Sequence, residues 1–113
     1  MNNDELKQLL LNQPEIILSE KLNLIKLSQK QMEDNLKLNE IEEPVKSEVD
    51  MNLALKNAGQ RKVAFIELLK SNIIYQELKK AIPVQDIEIR KSQAYISFQE
   101  NLLQVYLAIA GIR

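Results

Sequence analysis

The chain reads as all-α: an antiparallel helical hairpin or coiled-coil bundle with a long, kinked C-terminal helix, expected to be oligomeric. Three observations predict this. Glycine and proline, which turns require, number only 2 and 3 among 113 residues. Apolar residues make up 45% and charged residues 27%, a globular balance with neither a disordered nor a collagen-like bias. Apolar residues also recur at alternating three- and four-residue steps, the spacing of helices that pack along a seam.

A single helical domain over 1–113 accommodates four segments. Residues 1–13 predict a short helix with Leu6, Leu9 and Leu10 on one side. Pro14 is expected to end it and to open the next, because proline at a first helical position gives up no hydrogen bond. Residues 14–43 predict the first long helix. Its seam is read as Leu18, Leu22, Ile25, Met32 and Leu36, with Gln29 in the gap, and a second row of Ile17, Leu24, Leu27 and Leu38 widens the apolar face. Pro44 is expected to kink or restart the helix, since its ring clashes with the carbonyl four residues back, with Val45, Val49 and Leu53 able to continue a helix past it.

Residues 44–70 read as an elbow and a short helix. Asn57 and Gln60 have capping-box spacing, so a helix from Gln60 to Lys70 is predicted, carrying Val63, Ile66 and Leu69 with Phe65 and Leu68 alongside. Ser71-Asn72 predicts another cap, and residues 72–113 a long C-terminal helix. Tyr75, Leu78, Ile82, Gln85, Ile89, Ser92, Ile96, Gln99, Leu103, Tyr106 and Ala110 keep one register throughout, including across Pro83. A helix that kinks but continues accounts for that. Polar Gln85, Ser92 and Gln99 at seam positions weaken packing and can fix register or strand number.

Beside this seam stands a neighbouring row, Tyr95, Phe98, Leu102, Val105 and Ile109. With Tyr106 these are the self-association candidates, because one partner helix cannot cover so wide an apolar face. The expected state is a dimer or higher oligomer.

With no Cys and no His, disulfide scaffolds, thiolate–imidazole zinc sites and nucleophile–His relays are excluded. The chain opens Met1-Asn2-Asn3-Asp4-Glu5, without a basic segment followed by an apolar run. Its most apolar stretch, 94–112, is interrupted by Gln99, Glu100, Asn101 and Gln104 and should not span a bilayer. The expectation is a cytoplasmic protein of a bacterial host cell with no membrane partner.

The net charge of −1 is unevenly spread. Glu33, Asp34, Glu40, Glu42, Glu43, Glu48 and Asp50 face only Lys37 and Lys46, whereas 56–91 is basic, with Lys56, Arg61, Lys62, Lys70, Lys79, Lys80, Arg90 and Lys91. Such asymmetry either steers a charged partner or draws the two segments together.

The stretch from Asn57 onward resembles a group of small coiled-coil proteins encoded by temperate phages and integrated elements of low-GC bacteria. The residues that carry the likeness are Asn57, Arg61 and Lys62 in a loop and short helix, then Asn72 as a second cap with Tyr75 three residues on. Pro83 departs from the uninterrupted helix of that group, and Ile73 stands where a proline is usual. The resemblance implies a phage or mobile-element setting, among DNA-handling or anti-defence genes, and carries no established activity over.

The remaining enzymatic option is a carboxylate metal site, for which Glu40, Glu42, Glu43 and Glu48 would have to project from two helices into one pocket. They bunch around one proline instead. The last helix offers only Asp86, Glu88 and Glu100, off its apolar seam, so solvated charge is expected, with no metal and no cofactor. Nucleic acid is not the favoured partner either. The basic residues suit phosphates, but the pI is about 5.5, and Phe65, Tyr75, Tyr95, Phe98 and Tyr106 sit on apolar rows rather than forming stacking platforms. Arg61 and Lys62 stand in a first helical turn, where cations oppose the macrodipole, which suggests a partner-facing role.

The partner-binding candidates are therefore Arg61, Lys62, Lys79, Lys80, Glu40, Glu42 and Glu43. Three function classes follow: an adaptor acting through coiled-coil assembly and protein contacts, an anti-CRISPR-like inhibitor of a host nuclease using an acidic surface, and a DNA-binding accessory to phage recombination or replication.

Overall fold

A computed structural model describes residues 1–111, and three helices account for nearly all of them: α1 (Asn3–Asp50), α2 (Ala58–Lys70) and α3 (Ile73–Ile109). The last two positions of the predicted 72–113 helix lie outside the described residues.

Capping chemistry sets the helix starts. Asn2 Oδ1 accepts from Glu5 N at 2.8 Å, while Glu5 Oε2 accepts from Asn2 N at 3.4 Å, a reciprocal box that starts α1. Asn57, in an extended conformation, accepts from Gln60 N at 2.8 Å and starts α2 at Ala58, two residues before the sequence expectation. Gln60 does reach back, to Lys56 N at 2.7 Å. Asn72 Oδ1 accepts from Tyr75 N at 2.9 Å and starts α3, as its spacing predicts. At the far end Gly111, with φ of 74°, takes the left-handed conformation that closes a helix.

The prolines depart from expectation. Pro14 and Pro44 divide nothing: α1 runs through both, so the predicted 1–13 helix and the 44–70 elbow do not exist as drawn. Each proline deprives one carbonyl (Leu10, Glu40) of its partner. What outweighs that loss is burial on both sides. Gln13 and Ile17 bracket Pro14, and Leu38, Ile41, Val45 and Val49 continue one inward row past Pro44. Ending the helix at Pro44 would give up the packing of Val45 and Val49. α3 continues through Pro83, as the unbroken register predicts.

The contacts fall into two units. The second unit, residues 30–85, packs three helical segments around Leu38, Leu69, Tyr75 and Leu78, with Ile41, Val45, Phe65 and Ile82 against them. Leu69, at 2% exposure, is the most buried of these, so α2 is anchored chiefly by its last turn. Gln76 Nε2 donates to the Leu69 carbonyl at 3.2 Å, closing the open end of α2.

The first unit, residues 1–29 with 86–111, pairs two helical segments antiparallel. Its buried side chains among the described residues are Gln13, Ile17, Ser92, Ile96 and Gln99, a small and largely polar core. Gln13 Nε2 donates to the Gln99 carbonyl at 2.9 Å and to Gln99 Oε1. Ser92 Oγ donates to Glu20 Oε1 at 2.8 Å. Moving from Gln13 to Glu20 climbs seven residues along α1, while moving from Gln99 to Ser92 descends seven along α3, which is an antiparallel register.

This register overturns the seam read for α1. Leu18, Leu22, Ile25, Met32 and Leu36 are all exposed. The row that points inward is the supposed second one, Ile17, Leu24, Leu27 and Leu38, interleaved with Gln13, Glu20, Gln31 and Asp34. The α3 seam holds at every position from Tyr75 to Ala110.

Candidate interaction surfaces

In the second unit the acidic and basic candidates meet around Glu42. Its Oε1 accepts from the Tyr75 hydroxyl at 2.9 Å and lies 3.9 Å from Lys79 Nζ, which in turn sits 5.7 Å from the Tyr75 ring centroid. Burial, then the Glu42 hydrogen bond and charge, push the Tyr75 hydroxyl up to about 12. Glu42 also lines a shallow groove with Arg61 and Lys62, alongside Lys46, Asp50 and Phe65. Three of the candidates thus converge on one cleft of mixed charge. Glu40, Glu43 and Lys80 do not join it and are exposed. Among the described residues no group of three or more acidic side chains is close enough to hold a metal ion.

The second unit also holds a buried ion. Asp34 is 3% exposed, accepts from Gln85 Nε2 at 2.5 Å and pairs with Lys30 at 3.2 Å. The Gln85 hydrogen bond keeps the Asp34 carboxyl below its usual range, against the opposing effect of burial and with help from Lys30 and Lys37. Sequence reasoning placed Gln85 on the seam but missed Asp34 as its partner.

The first unit is one layer of two helices, and it carries an apolar row on each side. One groove between the helices is lined by Glu20, Asn23 and Leu27 from α1 and by Lys91, Ser92 and Tyr95 from α3. The groove on the opposite side is lined by Leu18, Lys21 and Ile25 from α1 and by Glu100, Leu103 and Ile96 from α3. Tyr95, Phe98, Val105 and Ile109 therefore flank the first side, exposed at 45–57%. Leu18, Leu22 and Ile25 flank the second, exposed at 52–59%.

Of the self-association candidates, Leu102 and Tyr106 are half-buried against the chain itself and the other four are exposed. The core reading holds for Phe65 and Tyr75. It fails for Tyr95 and Phe98, whose row has no covering helix within this chain because α1 already occupies the neighbouring seam.

Among the described residues no helix is long and apolar enough to cross a membrane. No family model, curated protein or solved structure matches the chain. The likeness to phage coiled-coil proteins thus rests on the residues quoted for it.

Proposed function

We propose that this chain is a non-catalytic helical binding protein that assembles with itself through the α3 row and meets a protein partner through the α1 row. The observation that carries this reading is the imbalance within the first unit. Ile17 and Ile96 are its only buried large apolar side chains among the described residues, against exposed Leu11, Leu18, Leu22, Ile25, Phe98, Val105 and Ile109. A domain normally buries such faces by packing layer on layer, and an apolar face left open on one layer marks an interaction site. Charged side chains border both rows: Lys21 beside the α1 row, and Glu20, Glu88 and Lys91 beside Tyr95 at the start of the α3 row.

Acidic mimicry of a nucleic acid has less support, since Glu42 is already held by Tyr75 and Lys79. A phage or mobile-element setting remains the suggestion of the resemblance.

Sedimentation equilibrium tests the reading. The wild-type chain should sediment as a dimer or larger, F98K/V105K should fall to a monomer of unchanged helix content, and L18K/I25K should keep the wild-type mass. A wild-type chain that stays monomeric at every concentration would sink it.

A further inference from the structure

We infer that the α3 row is covered by a second copy of this chain, lying antiparallel across a two-fold axis beside Asn101. This rests on the self-assembly reading above and specifies its geometry.

Tyr95, Phe98, Leu102, Val105 and Ile109 advance by three, four, three and four residues, the spacing of a packing seam. The same segment of α3 uses a different row, Ser92, Ile96, Gln99, Leu103 and Tyr106, against α1. It therefore carries two seams, and one is unoccupied within the chain.

The free seam is graded in size, aromatic at its start and β-branched at its end. An antiparallel copy sets Tyr95 opposite the partner's Val105 and Phe98 opposite the partner's Leu102, so that each of these layers joins a larger side chain to a smaller one, with Ile109 at the ends opposite the partner's Lys91. A parallel copy would set Tyr95 on Tyr95 and Val105 on Val105, overfilling one layer and leaving another short. Overpacked and underpacked layers each cost about 1–3 kcal/mol.

Charge agrees with a second copy. Among 92–111 Glu100 is the single charged residue, and it is turned toward Lys21 on the opposite flank, 3.9 Å away. A two-fold axis through the row thus brings no like charges together, and the row offers none by which to select a charged partner. Along α3 the row is about 20 Å long at 1.5 Å per residue. Same-face contact also closes the assembly at two copies.

Because the chain contains no cysteine, single cysteines report the arrangement cleanly. Across the proposed axis position 101 meets itself and position 94 meets position 108. The full-length A94C and A108C variants, each checked for wild-type helix content and mass, are treated with a short bismaleimide separately and as an equimolar mixture. Cross-linked dimer should form in the mixture and not in either variant alone, and N101C should cross-link by itself. Cross-linking of A94C to A94C and of A108C to A108C, with no gain on mixing, would overturn the antiparallel arrangement while leaving self-assembly standing. So would a protein that sediments as a dimer yet forms none of these links. If the wild-type protein sediments as a monomer, the self-assembly reading fails first and this geometry falls with it.

Discussion

Gln85 donates from Nε2 to Oδ2 of Asp34 at 2.5 Å, and Asp34 is among the most buried side chains in the protein. A carboxylate taken out of water needs such partners, and Lys30 one turn earlier supplies the second. The amide oxygen of Gln85, Oε1, is buried without a partner, so this amide is already short of one hydrogen bond. The pairing ties α1 to α3 within the second unit. D34A should therefore cost about 1–3 kcal/mol in urea denaturation, because Gln85 is left buried and wholly unpaired. D34L/Q85L should recover most of that stability. If D34A were neutral, the bond would have no structural role.

The acid side of the pH profile follows from the same carboxylate. The folded pKa of Asp34 is lowered, so its contribution is complete above the ordinary aspartate value of about 3.9 and is lost as pH falls through the lower folded value. D34N should flatten the acid limb of the stability curve. An unchanged limb would show that other carboxylates govern acid unfolding.

The alkaline side belongs to Tyr75. With its folded pKa raised from 10.0 to about 12, the neutral hydroxyl is the form the fold favours. That stability is present below pH 10 and is lost as pH rises towards 12. Tyrosinate absorbance should show a late step, which Y75F should abolish and E42Q should shift down. Y75F should cost about 0.5–1.5 kcal/mol for the lost hydrogen bond. A late step that E42Q leaves in place would refute the Glu42 contact.

Proline inside α1 is a removable defect. In P44A the restored N–H can reach the Glu40 carbonyl, and the exposed proline ring gives up no packing. Against about 3 kcal/mol of interior penalty stands up to about 1 kcal/mol from the freer unfolded chain. A net gain of about 2 kcal/mol is expected from the denaturation midpoint. A loss would mean that the chain is broken at Pro44 in solution.

The helix starts make a separate prediction. N57A and N72A each remove the acceptor of one first-turn N–H and should cost about 1 kcal/mol apiece. The N72A change should lower the helix content of the 73–85 segment first, measured by amide exchange. Uniform exchange across α3 would argue against Asn72 as its start.

Helical class, the caps at Asn57 and Asn72, and the inward row of α3 are all legible from the sequence. They depend on local chemistry: side-chain oxygens within reach of first-turn N–H groups, and apolar residues at helical spacing. The convergence of Glu42, Arg61 and Lys62 was not legible, because it joins residues from separate helices. Continuity of α1 through Pro14 was not legible and through Pro44 was left open, since the local penalty of each proline is visible in sequence while the burial that outweighs it is not.

The choice between the two rows of α1 belongs to the tertiary structure alone. Leu18, Leu22, Ile25, Met32 and Leu36 make the cleaner apolar seam, and by hydrophobic spacing they should face inward. They do not. In the first unit Gln99 and Ser92 of α3 take Gln13 and Glu20 as partners, and in the second unit Gln85 takes Asp34. Turning α1 to bury the greasier row would strand those polar groups in the core, at about 1–3 kcal/mol each. Periodicity says only that a helix has an apolar face, and α1 has two. Which one is buried was settled by hydrogen bonds between residues far apart in the chain.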